Sequence, residues 1–200
     1  MSGSEAGAMP EPPEYQAAIA EVLLTEDQIR AKVAELAAVL SREYQGRRLV
    51  LVGVLNGAAV FVADLLRRLA VPAELDFVAV SSYGRSTVSC GEVQLTKDIG
   101  CNLQGKDVVV VEDIVDTGRT LSFLVECLRA KGPTSVRVCA LLDKPSRREV
   151  DFQPDFVGFE IPDRFVVGYG LDFALEYRGL PYVAVLKPEA YASAGCPSEP

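Results

Sequence analysis

Apolar positions along this chain follow two alternating rhythms. Residues 49–55 and 108–111 are unbroken apolar runs, the pattern of strands covered on both faces. Further strands are expected at 75–82, 92–98, 135–142, 156–159, 166–169 and 182–186. Between them the spacing changes to that of helices. Ile29, Val33, Leu36, Leu40 and Tyr44 form one stripe, which opens on the capping box Thr25-Glu26-Asp27-Gln28 and stops at Gly46. Phe61, Leu65 and Leu69 mark a second helix over 58–69. Leu121, Leu124, Val125 and Leu128 mark a third, which Lys131-Gly132-Pro133 ends. This alternation predicts an α/β fold with a mostly parallel central sheet flanked by helices. Residues 1–20 and 191–200, poor in periodic apolar positions, are expected to be disordered tails around a single domain over 21–190.

Composition narrows the partners. Two hundred residues suit one domain with a proper core. A net charge of −8 argues against nucleic acid or an anionic membrane as the main partner. No apolar run reaches spanning length and the N-terminus lacks a signal-peptide pattern, so a cytoplasmic protein is expected. Five cysteines, odd in number and without C-x-x-C spacing, read as reduced thiols, with Cys127 and Cys139 in the core. There is no histidine. That removes histidine-based triads and the commonest zinc sites, and leaves general-base work to a carboxylate or a perturbed lysine, tyrosine or cysteine.

The most informative stretch is Val108-Val109-Val110-Val111-Glu112-Asp113-Ile114-Val115-Asp116-Thr117-Gly118-Arg119-Thr120. A buried strand ends in two acids, and a loop with a glycine leads directly into a helix. Residues 116–120 offer backbone N–H groups at a helix N-terminus with two threonine hydroxyls, which suits a phosphate monoester. Glu112 and Asp113 would repel that phosphate unless a ribose diol and Mg²⁺ lay between, since Mg²⁺ commonly takes one or two carboxylates plus ligand phosphates. The absence of a Gly-Lys-Ser/Thr triplet excludes a Walker A loop.

The stretch resembles the phosphoribosyl-diphosphate (PRPP) signature of type I phosphoribosyltransferases. Together with Asp143-Lys144-Pro145 and Arg164-Phe165-Val166-Val167-Gly168-Tyr169-Gly170-Leu171-Asp172, it is similar to the hypoxanthine–guanine members, over about residues 23–188. The resemblance implies Mg²⁺-dependent transfer of 5-phosphoribosyl from PRPP to N9 of hypoxanthine or guanine, giving IMP or GMP and pyrophosphate. It implies a small hood, from the N-terminal segment and about 143–181, and a mobile lid over about 83–97 led by Ser82-Tyr83. Residues alone read that lid as a loose hairpin.

Roles follow residue by residue. Asp116, otherwise a helix N-cap, would be the general base toward purine N7. Thr117, Gly118, Arg119 and Thr120 would hold the 5′-phosphate. Glu112 and Asp113 would hold the ribose diol and a metal, and Asp172, otherwise a turn residue, a second metal. Leu55, Asn56 and Gly57, an ordinary Asn-Gly turn on local grounds, would hold pyrophosphate, often through a cis peptide. Lys144, otherwise a solvated lysine, would donate to the 6-oxo group. Phe165, otherwise a core aromatic, would stack on the purine, with Val166 offering backbone groups. Arg178, by default a surface arginine, would contact pyrophosphate. Asn56 stands where others have lysine, Arg164 where some do, and Arg119 is one of several residues seen in the phosphate loop. A homo-oligomer, dimer or tetramer, is also implied. Rival readings are a PRPP-sensing RNA-binding regulator, a silent PRPP-binding subunit and a xanthine-preferring enzyme.

Overall fold

The computed structural model describes residues 12–82 and 93–192. A six-stranded sheet is built from β2 (Leu49–Leu55), β3 (Ala73–Ser82), β4 (Val93–Lys97), β5 (Asp107–Val115), β6 (Ser135–Asp143) and β7 (Phe156–Glu160). Its order is β4-β3-β2-β5-β6-β7, and every neighbour is parallel except β4, which returns antiparallel to β3. The sheet is thus mostly parallel, as the strand–helix alternation predicts.

The unbroken apolar runs conceal a period of two. Leu49, Leu51, Val109 and Val111 belong to one core, and Val50, Val52, Val54, Val108 and Val110 to the other. Helices α2 (Glu26–Glu43) and α3 (Ala59–Leu66) cover the first face with Ile29, Val33, Leu36, Leu40, Phe61 and Leu65. Helix α4 (Arg119–Arg129) covers the second with Leu121, Leu124, Val125 and Leu128. Cover on both sides is why these strands tolerate no polar alternation. The Thr25 capping box forms in both directions, with Gln28 N donating to Thr25 Oγ1 at 3.3 Å and Thr25 N donating to Gln28 Oε1 at 2.8 Å. Helix α2 ends with Tyr44 as its cap, two residues before Gly46, whose φ is +74°.

A second sheet corrects the sequence reading. Strands β1 (Ile19–Leu24), β8 (Val166–Val167) and β9 (Val183–Leu186) pair antiparallel in the order β1-β9-β8. Residues 182–186, expected to extend the central series, therefore supply the middle strand of the small sheet. The N-terminal tail does not run to residue 20, because α1 (Pro13–Ala18) precedes β1 and Tyr15 stacks on Tyr177 with ring centroids 4.2 Å apart. Residues 143–181, expected to lie in a small hood, include β7, which is the edge strand of the large sheet. Helix α5 (Pro188–Ala192) likewise runs past the expected tail start at 191. Cys139 is buried, whereas Cys127 on α4 is only half-buried. Tyr83 and the lid segment 83–92 lie outside the described residues. Among the described residues no helix is long and apolar enough to cross a membrane.

Strand order reverses between β2 and β5: β2 leads outward to β3, and β5 leads the opposite way to β6. The loops after β2 and β5 leave the same carboxyl edge at that switch point, where open α/β sheets bind ligands.

Candidate active site

The end of β5 carries an acid pair. Glu112 as a residue is half-buried, but its Oε2 is sealed from solvent and has no hydrogen-bond partner among the described residues. Burial, and then the charge and hydrogen bond of Asp113, push the Glu112 carboxyl well above its ordinary value. Asp113 is also pushed up by burial, against the opposing hydrogen bonds from Glu112 and the backbone and the charge of Arg178. Its Oδ1 accepts from Ile114 N at 2.9 Å. Two adjacent buried carboxyls, one with an orphaned oxygen, are a donor set that fits a hard divalent cation. Among the described residues no three His, Cys, Asp or Glu side chains cluster as metal ligands. The protein therefore offers part of a coordination shell and not a cage.

The loop after β2 is fitted against that pair. The Leu55–Asn56 peptide is cis. A Cβ on Gly57 would lie 2.6 Å from Asp113 Cγ and closer still to Oδ2, so only glycine fits. On its other side, a Cβ on Gly170 (φ +101°) would collide with the Gly57 carbonyl. The turn after β8 thus touches the β2 loop directly, and Tyr169 Oη donates to Asp64 Oδ2 on α3 at 2.7 Å across the same junction.

The loop from Asp116 to Thr120 opens α4. Gly118, at φ +83°, is the helix N-cap and no side chain caps the helix, so the capping role considered for Asp116 is not used. Asp116 Oδ1 instead accepts from Arg147 Nε at 3.2 Å, and its carbonyl accepts from Arg148, which also pairs with Asp143. Glu149 N donates to the Thr117 carbonyl at 3.0 Å, Arg119 N to Thr117 Oγ1 at 3.4 Å, and the Arg119 side chain pairs with Glu149. Thr120 follows in the first turn. The loop is braced from the β6 side and presents the N-terminal end of α4.

Lys144 follows β6, its N–H donating to the Val115 carbonyl at 2.9 Å, which fixes it beside the acid strand. The residue is 8% exposed and its Nζ stands 3.5 Å from Asp163 Oδ1. Phe165 meets Phe173 edge-on at 5.7 Å and Tyr191 of α5 nearly face-on at 5.1 Å. Val166 is buried at the start of β8. Asp172 Oδ1 pairs with Arg178 Nη2 at 2.6 Å, its Oδ2 accepts from Leu175 N at 2.9 Å, and Arg178 Nη1 donates to the Gly170 carbonyl at 2.6 Å. Arg178 thereby bridges Asp172 and the turn at Gly170 that abuts Gly57. Ser82 is the last residue of β3, at the same carboxyl edge. Sequence reasoning missed Arg147, Asp163, Gly170 and Tyr191. The available signals were the basic pair Arg147-Arg148 just after Lys144, and the acid two residues before Phe165.

Comparison with known proteins agrees with this geometry. The family model described as phosphoribosyl transferase domain matches residues 21–174. The hypoxanthine-guanine phosphoribosyltransferase of Bacillus subtilis is 52% identical over 175 residues, covering 88% of this chain and 97% of that protein. The bifunctional protein TilS/HprT of Listeria monocytogenes (serotype 4b, strain F2365) is 51% identical over 174 residues, 87% of this chain; the match spans only 27% of that longer protein. A crystal structure of a hypoxanthine phosphoribosyltransferase from Staphylococcus aureus superposes with a TM-score of 0.87 at 46% identity, over 91% of this chain and 99% of that one. The chain belongs to the phosphoribosyltransferase family, among its hypoxanthine-guanine members.

Proposed function

We propose that this protein transfers 5-phosphoribosyl from PRPP to N9 of hypoxanthine or guanine, releasing pyrophosphate and yielding IMP or GMP. One observation carries the reading: a single carboxyl edge holds a buried acid pair, a helix-opening loop and a fixed lysine. Glu112 and Asp113 end β5, residues 116–120 open α4, and Lys144 is tied to Val115 between them.

Each part has a physical task. The 116–120 loop takes the 5′-phosphate through N–H groups at a helix N-terminus. Glu112 and Asp113 orient the ribose diol and would hold one Mg²⁺, and Asp172 would hold a second. Mg²⁺ would supply positive charge to neutralise the leaving pyrophosphate. The β2 loop, through Leu55, Asn56 and Gly57, and the Arg178 guanidinium receive that pyrophosphate. As the C1′–oxygen bond breaks and the N9–C1′ bond forms, the imidazole ring becomes acidic, and its N7 proton passes to Asp116. Lys144 donates to the 6-oxo group. The amino group of adenine would present a donor to that donor and be rejected. Phe165 covers the purine face and Val166 contributes backbone groups at its edge. Ser82 and Tyr83 lead the lid that dries the site and protects the electron-poor ribose carbon from water. Most of the rate would come from positioning and fixed charge.

Cytoplasmic location and a dimeric or tetrameric assembly belong to the same proposal. The reaction is tested by incubating the protein with PRPP and hypoxanthine, guanine, xanthine, adenine or uracil, with and without Mg²⁺, and separating the nucleotides. Mg²⁺-dependent IMP or GMP is expected. PRPP binding with no nucleotide from any base would defeat the enzyme reading, and product from xanthine alone would reassign the substrate.

A further inference from the structure

Four charged side chains alternate in sign at the purine end of the site. Asp116 Oδ1 accepts from Arg147 Nε at 3.2 Å, Arg147 Nη1 stands 3.5 Å from Asp163 Oδ2, and Asp163 Oδ1 stands 3.5 Å from Lys144 Nζ. They come from three segments distant in sequence: the loop before α4, the turn after β6 that includes the short 3₁₀ helix Pro145–Arg147, and the approach to β8. Each ion pair alone is partly solvated, and such pairs typically add no more than about 1 kcal/mol. Stability is therefore a weak reason for the arrangement. Its order is more informative: Lys144 and Arg147 are cations three residues apart, and Asp163 answers each with a different oxygen.

We infer that Arg147 is a positioning residue for Asp116, and that Asp163 couples it to Lys144 so that proton acceptor and 6-oxo donor are held as one unit. The inference rests on the proposed reaction. An aspartate on a loop has two free side-chain torsions, and a guanidinium on Oδ1 fixes the plane of the carboxylate and directs the N7 proton to Oδ2. Asp163 lies two residues before Phe165, so the segment that bears the stacking ring also sets the two polar contacts. Acceptor, donor and ring face then share one framework, and a purine is registered at three points by a single packed cluster.

Charged groups surround Asp116 on every side that the loop meets. Arg147 and Arg148 approach from the turn after β6, Asp143 is neutralised by Arg148, and the Arg119–Glu149 pair spans the loop. Glu112 and Asp113 lie upstream on β5. Arg147 is the guanidinium on the Asp116 carboxylate itself.

The test is steady-state kinetics with hypoxanthine or PRPP as the varied substrate, the other substrate and Mg²⁺ saturating, in the wild type and in Arg147→Met, Arg147→Lys and Asp163→Asn. Loss of registration should raise the hypoxanthine KM by about tenfold in both Arg147→Met and Asp163→Asn, leaving the PRPP KM within about twofold. Arg147→Lys, a charge without a fork, should leave the hypoxanthine KM raised. Asp163 is half-exposed, so its variant keeps the test open if Arg147→Met fails to fold. An unmoved hypoxanthine KM in either Arg147→Met or Asp163→Asn would overturn the inference. So would equal changes in both substrates' KM values, the sign of a merely structural role. An inert wild type would instead defeat the proposed reaction, and this inference with it.

Discussion

Gly57 rests against the Asp113 carboxylate with no space for a side chain: a Cβ there would lie 2.6 Å from Asp113 Cγ. The loop that follows β2 and the acid that ends β5 are thus seated on each other, and neither can move alone. Gly57→Ala must push Asp113 or the loop by about the width of a methyl group. Displacements near 1 Å at a reacting centre can cost about a hundredfold. Steady-state kinetics of Gly57→Ala should show kcat/KM for PRPP down by about that factor, with the helical circular dichroism signal unchanged. A variant with wild-type kinetics would mean that the contact is incidental.

Glu112 costs the folded protein stability when it is ionised. Its carboxyl is pushed above the ordinary 4.5 by burial and by Asp113, so the folded state holds the proton more tightly than the unfolded state. A raised carboxyl contributes fully below the unfolded value, and its contribution falls as pH rises toward the folded value. Glu112→Gln should therefore melt at a higher temperature than the wild type at neutral pH, and the difference should vanish below about pH 4.5. The same variant should lose the extra stability that PRPP with Mg²⁺ confers, which differential scanning fluorimetry reads in one titration.

Asp76 behaves in the opposite way. Burial would raise its carboxyl, but the N–H groups of Phe77, Cys101 and Gly100 and the Lys97 charge outweigh it and hold it at about 2. That depression corresponds to about 2 kcal/mol of stability, present above the ordinary 3.8 and lost as pH falls through about 2. Asp76→Asn should cost about that amount in urea denaturation at neutral pH. The penalty should shrink on acidification.

Lys144 tests the purine contact. In Lys144→Gln the amide can donate or accept, whereas an ammonium only donates. Hypoxanthine kcat/KM should fall by about a hundredfold and the preference over adenine should narrow, while the PRPP KM stays put. An unchanged base preference would remove the 6-oxo role from Lys144.

The sequence made the centre of this fold legible because its signals there are local. Val108 to Val111 declare a strand covered on both faces, the spacing of Leu121 to Leu128 declares a helix, and Thr25 with Gln28 declares where α2 begins. What escaped depends on partners distant in sequence. Val183 to Leu186 read as a strand in any sheet, and only pairing with Ile19 to Leu24 removes it from the large one. Pro13 to Ala18 looks like tail until the Tyr15 ring meets Tyr177. The same limit governs the site. Glu112, Asp113 and Asp116 stand together in one motif, but Arg147 reaches Asp116 across 31 residues and Asp163 across 16, and no local pattern records either contact. Asn56-Gly57 reads locally as a common turn, whereas its cis bond and its fit against Asp113 emerge only from the packed edge.

The most direct single measurement is a competition. Equal hypoxanthine and adenine are mixed with the protein, PRPP and Mg²⁺, and the IMP to AMP ratio is read by chromatography before either base is depleted. A site whose buried donor meets the 6-oxo group should give IMP in excess by more than about a thousandfold. Comparable IMP and AMP, or AMP alone, would contradict the account of how this edge recognises its base.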